Sequence, residues 1–251
     1  MDKVRYMEVK MFRPIYEPRT KAKEYCDLAV NIYTGCNHGC IYCYARMMFK
    51  RFHPGEDFAD VKPRDGIVEA VKNQLSGGKY KDKKIMLCFM CDPYPANIDT
   101  IPTREVIKAI KDVGDYVSVL TKGGMRAARD FDLYGEGDSF GSTLTFADAD
   151  KSLEWEPKAA EPLGRIQAIV EAHERGIKTW VSLEPVIKTQ DAINFVHDLH
   201  RHVDLWKIGR WNYDLRAEKI DWGRFGRNIE SILKILKCNY YIKEDLREAM
   251  R

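Results

Sequence analysis

No apolar run in this 251-residue sequence approaches the length a bilayer-spanning helix needs, so a helical membrane protein is not expected. No segment is low in complexity and no internal repeat is evident, which argues against disordered and solenoid architectures. The opening MDKVRYMEVKMF alternates charged and apolar residues, unlike a signal or transit peptide. Charge of one sign is also scarce. The formal net charge of +3 is too small to require a nucleic-acid partner and does not exclude one. An even set of spaced cysteines is missing too: there are seven, three of them packed into one loop, which argues against a secreted disulfide framework. A soluble cytoplasmic protein is the expectation. With 45% apolar and 31% charged residues, the chain suits one globular domain with a large core.

What is present is concentrated between Cys36 and Tyr44, which read CNHGCIYCY. Cys36, Cys40 and Cys43 follow the spacing Cys-x3-Cys-x2-Cys just after an apolar run, Leu28 to Tyr33, that reads as a strand. A cubane iron–sulfur cluster is normally held by four thiolates, and no fourth cysteine follows at ferredoxin spacing. Three thiolates would leave one iron open to a substrate or cofactor. Zinc with the same gap would be a catalytic site, with water in the fourth position. Gly35 and Gly39 favour the cluster, because a tight loop around a cubane needs permissive backbone. His38 reads as a fourth ligand, as a donor to a cluster sulfur, or as a solvent-facing turn residue.

After the loop, helix-like and strand-like segments alternate. Expected helices are Ala45–Phe52, Arg64–Leu75, Thr103–Val113 with Thr103 as its cap, Met125–Phe131, Leu163–Arg175, Ala192–His200 and Arg224–Leu236. Expected strands are Ile85–Met90, Tyr116–Leu120, Gly141–Phe146, Lys178–Leu183 and Leu205–Ile208, with Tyr240–Ile242 as a short edge strand before a helical tail. Repeated βα units predict an α/β fold with a parallel sheet. Six strands fit between Leu28 and Ile208, too few for a closed eight-fold barrel, which leaves a partial (β/α)6 TIM-type barrel or a doubly wound sheet. The barrel core would span about 26–210, with 211–251 adding a helix, the short strand and the tail.

In both architectures, functional groups gather past the C-terminal ends of the strands. There the sequence places Cys91-Asp92-Pro93, Thr121-Lys122-Gly123, Ser142 and Thr143, Glu184-Pro185, and Gly209-Arg210-Trp211-Asn212. Each has an ordinary alternative. Asp92 before proline can simply start a turn, Lys122 can be a solvated loop lysine, and Ser142 can be a sheet hydroxyl. Cys88 and Cys91 would point to opposite faces of one strand, and pair only if the strand ends between them. Cys26 and Cys238 read as buried small apolar residues. Lys207, Arg210, Trp211 and Tyr213 combine cations with aromatics, the pairing that holds phosphates and stacks bases; the same residues can bind a peptide or close a barrel.

The Cys-x3-Cys-x2-Cys loop with Tyr42 before its last cysteine resembles the radical SAM superfamily. Together, GCNHGCIYCYAR, CDPYP, LTKGG with Arg129-Asp130 after it, and STLTF are similar to the spore photoproduct lyase group and its wider relatives, from about Cys26 to about Ile187. That resemblance implies a radical SAM barrel in which Cys36, Cys40 and Cys43 ligate a [4Fe–4S] cluster whose open iron chelates S-adenosylmethionine (SAM). It places Asp92 at the SAM amino group and Lys122 and Ser142 at its carboxylate or ribose. One electron, from a reductant such as flavodoxin or ferredoxin, would release methionine and a 5′-deoxyadenosyl radical that takes hydrogen from a substrate. Tyr42 and Tyr44 occupy positions that assist catalysis in the lyase, with packing beneath the cluster as the alternative for Tyr42. Cys91 is the candidate hydrogen donor. Glu184, Arg210, Trp211 and Asn212 are expected to face the substrate, with Arg210 on phosphate and Trp211 stacking if it is a nucleic acid. A peptide or small-metabolite substrate, and a non-enzymatic metal- or cluster-binding module, are the other two readings.

Overall fold

The computed structural model describes residues 12–251. Its elements run β1 (Ile15–Tyr16), β2 (Leu28–Val30), β3 (Tyr33–Thr34), α1 (Tyr44–Phe52), β4 (Lys62–Pro63), α2 (Ile67–Leu75), β5 (Lys84–Leu87), α3 (Ile101–Asp112) and β6 (Tyr116–Thr121). They continue with β7 (Ser139–Thr143), α4 (Ala149–Trp155), α5 (Pro162–Glu174), β8 (Lys178–Leu183), α6 (Thr189–Leu199), β9 (Leu205–Ile208), α7 (Trp222–Ile235), β10 (Tyr240–Ile242) and α8 (Glu244–Ala249). Short 3₁₀ turns occupy Thr20–Glu24, Gly124–Leu133 and Leu215–Lys219. Among the described residues no helix is long and apolar enough to cross a membrane.

The main sheet has the order β1-β2-β5-β6-β7-β8-β9-β10, and β3 and β4 form a separate ribbon. All neighbours in it pair in parallel except β1, which lies antiparallel to β2. Strand order follows chain order without a reversal, so the sheet has none of the switch points that define a doubly wound fold. Its two ends, β1 and β10, do not pair. The result is a partial barrel, with six parallel strands from β2 to β9 as the sequence predicts.

Alternation along each strand separates two layers. Ile85, Leu87, Val117, Val119, Phe140, Val181, Leu183, Trp206 and Ile208 face the helices in the main core. Ala29, Met86 and Trp180 cluster on the opposite, inner face, with Tyr16, Tyr25, Cys26, Phe89, Leu120 and Leu205 around them. Gly141 on β7 pairs directly with Trp180 on β8, and a Cβ there would run into the indole ring. A glycine within a strand here marks the close approach of a large neighbour.

Several boundaries differ from the sequence-based expectation. The run Leu28–Tyr33 is not one strand: β2 stops at Val30, and Asn31 turns the chain by accepting hydrogen bonds from the Phe89 and Met90 amides at 2.8 and 2.9 Å. Tyr33 then joins β4. β5 ends at Leu87, before both Cys88 and Cys91, and Cys88 itself has φ +77°. β7 begins and ends earlier than the apolar run suggests. Thr103 is not a helix cap: α3 starts at Ile101, and the Thr103 hydroxyl donates to the Pro93 carbonyl at 2.7 Å. Residues 124–133 wind as a 3₁₀ turn rather than an α-helix. The unexpected helix α4 carries a local signal, Asp148, whose carboxylate accepts from the Lys151 amide at 2.7 Å as an N-cap.

Replacing Gly141 with valine tests the inner packing. Overpacking against Trp180 should cost about 1–3 kcal/mol, seen as a lower denaturation midpoint at unchanged m-value; an unchanged midpoint would mean that Trp180 moves freely aside.

Candidate cofactor site at the barrel mouth

The three cysteines sit on the loop between β3 and α1, at the C-terminal mouth of the barrel. Gly35 has φ +81°, and a Cβ on it would lie 2.6 Å from the Phe58 carbonyl oxygen; the next amide, Cys36 N, donates to that oxygen at 2.7 Å. Gly39 has φ +76°, and its Cβ would meet Pro157 at 2.9 Å. The Asn37 side chain exchanges two hydrogen bonds with the Ala96 backbone, at 2.6 and 3.1 Å. Ile41 N donates to Trp155 O at 3.0 Å, and Cys43 N to Cys40 O at 3.3 Å. The loop is therefore anchored from several separate segments. Cys36 and Cys43 lean on Ala45, Phe49 and Phe58.

Burial pushes the Cys40 thiol up to about 12 and Cys36 higher still, with Asp92 adding to the rise at Cys36. Such thiols ionise readily only when a metal takes the place of the proton. Among the described residues no group of three histidine, cysteine or acidic side chains is arranged to hold one metal ion. A cubane makes no such demand, since its thiolates bind separate irons. Soft thiolate donors on a loop wound through two left-handed glycines fit a [4Fe–4S] cluster with one iron open.

Asp92 lies where the loop meets the strand ends. Its Oδ1 accepts from the Tyr94 amide at 2.8 Å and the Thr121 hydroxyl at 2.5 Å, while Oδ2 accepts from the Lys122 amide at 2.8 Å. His38 Nδ1 lies 3.5 Å from Oδ2. On the other side of the ring, Arg126 Nη2 lies 2.9 Å from Nε2. Arginine only donates, so Nε2 accepts and the proton sits on Nδ1, facing Asp92. His38 is buried, with both ring nitrogens occupied, and is neither a solvent-facing turn residue nor a free fourth ligand. The Asp92 carboxylate thus braces β5, β6 and the cysteine loop together.

Lys122 projects from the end of β6 with its ammonium 5.5 Å from the centre of the Tyr42 ring. Among the described residues no carboxylate or carbonyl engages it, and its charge is felt at Cys40. Ser142 is placed differently from the expectation. It is fully buried, it shares the helix-facing side of β7 with Phe140, and its hydroxyl donates to the Thr121 carbonyl at 3.1 Å. Strand alternation takes it out of the barrel interior and leaves Gly141 and Thr143 facing in.

Tyr42 donates to Glu156 and lies 3.2 Å from the Thr145 hydroxyl. Glu156 is itself paired with Arg165 at 2.5 Å, both nearly inaccessible to solvent. Burial pushes the Glu156 carboxyl up, but Arg165 and Lys122 outweigh it and hold it below the ordinary value. Arg165 also donates to the carbonyls of Ala160 at 2.7 Å and Thr143 at 3.2 Å. Tyr42 is thus an anchor beneath the loop. Tyr44 donates to the Phe89 carbonyl at 2.8 Å. Cys91 is half-buried beside Cys88, and the two thiols lie close enough to interact because the strand has already ended. Cys26 and Cys238 are half-buried, packed against the inner cluster and the main core.

The residues expected to face substrate divide. Glu184 accepts from Tyr25 and from the buried Lys243, each at 2.6 Å. Asn212 accepts from Lys21 at 3.2 Å and donates to Asp245 at 2.9 Å. Both tie the 20–26 segment and the C-terminal tail across the open side of the barrel. Trp211 is not a stacking platform: it is 4% exposed, packed edge-on to Trp155 at 5.7 Å, with the Arg216 guanidinium over its ring. Its large apolar area gains more from this contact than from solvent. Arg210 remains partly open over the Trp222 ring and lines a cavity of about 320 Å³ with Asn212, Tyr213 and Leu215.

The Glu156–Arg165 pair gives a direct test. Glu156→Ala would strand a buried guanidinium and should cost about 3–5 kcal/mol, whereas Tyr42→Phe, which removes one bond to the carboxylate, should cost about 1.5–3 kcal/mol. Equal, small losses in chemical denaturation would show that the pair is not what fixes the loop.

Comparison with known proteins agrees with this geometry. The Radical SAM superfamily profile matches residues 30–199. An uncharacterized protein of Methanocaldococcus jannaschii is 30% identical over 197 residues, covering 77% of this chain and 72% of its own length. An uncharacterized protein of Mycobacterium tuberculosis is 27% identical over 167 residues, 63% of this chain and 49% of its own, so the chain spans about half of that relative. Among solved structures, spore photoproduct lyase complexed with dinucleoside spore photoproduct superposes with a TM-score of 0.67 at 13% identity, covering 90% of this chain and 79% of that one. Streptococcus suis SuiB bound to S-adenosylmethionine gives 0.65 at 11% identity, covering 85% and 49%. These two share the fold. A sequence match that runs from the end of β2 to the end of α6, on a partial barrel whose mouth carries the cysteine loop, establishes that the chain belongs to the radical SAM superfamily.

Proposed function

We propose that this protein is an enzyme that cleaves S-adenosylmethionine reductively at a [4Fe–4S] cluster held by Cys36, Cys40 and Cys43, and takes a hydrogen atom from a substrate at the barrel mouth. The supporting observation is the convergence, in a radical SAM barrel, of a three-cysteine loop with the Asp92 and Lys122 strand ends. When bound, the cluster and SAM supply the electron and the radical precursor; the protein supplies position and shelter. With three thiolates, the cysteine loop would leave one iron of such a cluster without a protein ligand. Lys122, the unengaged cation of the mouth, suits the SAM carboxylate. Asp92 fixes the two strand ends, and with its oxygens already accepting from protein donors it meets SAM as a braced wall. Tyr42 and the Glu156–Arg165 pair keep the loop from shifting. Cys91, half-buried past the end of β5, is the proposed thiol donor of hydrogen to a product radical, with Tyr44 beside it at the start of α1.

A nucleic-acid base is the substrate class we favour. Tyr213 is 74% exposed with Lys21 5.9 Å from its ring centre, and Arg210 opens on the adjoining cavity. This combination of a stacking surface and cations takes over the role expected of Trp211. A peptide or small metabolite is the competing class.

Anaerobically reconstituted protein with dithionite should release 5′-deoxyadenosine from SAM, and alanine at Cys36, Cys40 or Cys43 should abolish both the cluster and the product. Lys122→Ala should weaken SAM binding by about 1.5–3 kcal/mol, as loss of a charge-assisted contact, at unchanged fold stability. Asp92→Ala should lose stability as well. A reconstituted wild type that never yields 5′-deoxyadenosine would refute the activity. Binding to single-stranded DNA or RNA should weaken with salt, and Tyr213→Ala should cost about 1–3 kcal/mol if a base stacks there; salt-insensitive or absent binding would favour the competing class.

A further inference from the structure

Two glycines after β6 set an arginine against the cysteine loop. A Cβ on Gly123 would lie 2.6 Å from the Tyr94 Cβ, and one on Gly124, at φ +56°, would meet the Ala160 Cβ at 2.6 Å. Their turn packs the following 3₁₀ segment tightly against both neighbours. Arg126, in that segment, is half-buried, and it donates to the Tyr94 carbonyl at 3.2 Å and to His38 Nε2 at 2.9 Å. His38 stands in the loop midway between Cys36 and Cys40. Asp92 lies on the far side of the His38 ring, its oxygens accepting from the Tyr94 and Lys122 amides and the Thr121 hydroxyl. Arg104, Arg129 and Arg165 each pair with a carboxylate. Among the described residues Arg126 pairs with none. Burial pushes its guanidinium below the ordinary value and Arg165 adds to this; the anions that oppose it are Asp92 and an ionised Cys36.

We propose that Arg126 is a positioning and charge-tuning residue for the cluster: it holds the loop through His38, and its charge offsets the negative charge gained on reduction, so that reduction occurs at a less negative potential. The proposal rests on the cluster assigned to Cys36, Cys40 and Cys43. A half-buried cation without a carboxylate is costly to keep. Three thiolates in place of neutral thiols would bring the missing negative charge into the loop that Arg126 already grips. One further electron adds to that charge, and a fixed cation beside it stabilises the reduced state more than the oxidised one. Outer hydrogen bonds and charges tune a metal group as its ligands do. Position separates Arg126 from Lys122. The Lys122 ammonium stands over the Tyr42 ring, free for the SAM carboxylate, whereas Arg126 is bonded to the cysteine loop itself. His38 carries the contact as an acceptor at Nε2, so the guanidinium keeps its charge unpaired. In the step itself the cluster gains one electron and the reductant loses one. No bond forms or breaks and no proton moves.

The test uses the full chain, reconstituted anaerobically and free of SAM. It is titrated with dithionite in the presence of redox mediators and followed by electron paramagnetic resonance. Arg126→Gln and Arg126→Met remove the charge, and Arg126→Lys keeps it. The neutral variants should take up iron as wild type does, yet reduce with an equilibrium constant about tenfold smaller, a midpoint ~59 mV more negative for one electron. Arg126→Lys should recover most of that difference. A midpoint unmoved in the neutral variants would overturn the proposal, and SAM binding lost in the same variants would give the guanidinium to the SAM carboxylate instead. A lysine variant shifted as far as the neutral ones would overturn it in favour of the hydrogen bond to His38 alone. Loss of iron in all three variants would overturn it in favour of a purely structural arginine. A wild type that takes up no iron would refute the cluster reading and the proposal with it, whereas a midpoint indifferent to the residue at 126 refutes the proposal alone.

Discussion

The buried pair of Glu156 and Arg165 is the contact on which the barrel mouth depends. Arg165 reaches from α5 to the carbonyls of Thr143 at the end of β7 and Ala160 in the connecting loop, while Glu156 reaches up to Tyr42 within the cysteine loop. One ion pair therefore joins a strand end, a helix and the loop that would carry the cluster. Its net contribution to stability need not be large, because both charges gave up water to form it. Its consequence is specificity. An acceptor and a donor that cannot be left unpaired in the interior tolerate only one arrangement of the loop. The Asp92 carboxylate acts similarly from the other side, collecting the Tyr94 and Lys122 amides and the Thr121 hydroxyl.

Much of this was legible in the sequence, for local reasons. Repeated βα segments, the six strands from Leu28 to Ile208 and the loop of Cys36, Cys40 and Cys43 all depend on periodicity or short spacing. β8 and β9 fall on the expected residues because their apolar runs are bounded by turn formers. What was not legible depends on partners distant in the chain. Tyr42 and Glu156 are 114 residues apart, and His38 and Arg126 are 88 apart, so no local pattern announces either contact. The resemblance put Ser142 at the cofactor, but its place on β7 turns it to the helix side, where its hydroxyl meets the Thr121 carbonyl of β6. Trp211 beside Arg210 has the composition of a base-stacking site. Only the arrival of Trp155 and Arg216 shows that it belongs to the core.

The open side of the partial barrel is closed by the 20–26 segment and the segment from β10 into α8. Lys207 donates to the carbonyls of Glu24 and Tyr25, Lys243 pairs with Glu184, and Tyr241 donates to Glu24. The 20–26 segment and the C-terminal tail are thereby held together across the gap between β1 and β10. Residues expected to meet a substrate, Glu184 and Asn212, are occupied in this closure. Access to the interior is left to the mouth, where the cysteine loop, Lys122 and the cavity beside Arg210 lie.

The central claim is that SAM binds through an iron that has no protein ligand. Electron–nuclear double resonance on the reduced, reconstituted protein tests this directly, using SAM labelled with ¹⁵N at its amine and ¹⁷O at its carboxylate. The account predicts hyperfine coupling of both labels to the cluster, lost in SAM-free samples. A cluster spectrum unchanged by SAM, with no coupling to either label, would contradict it.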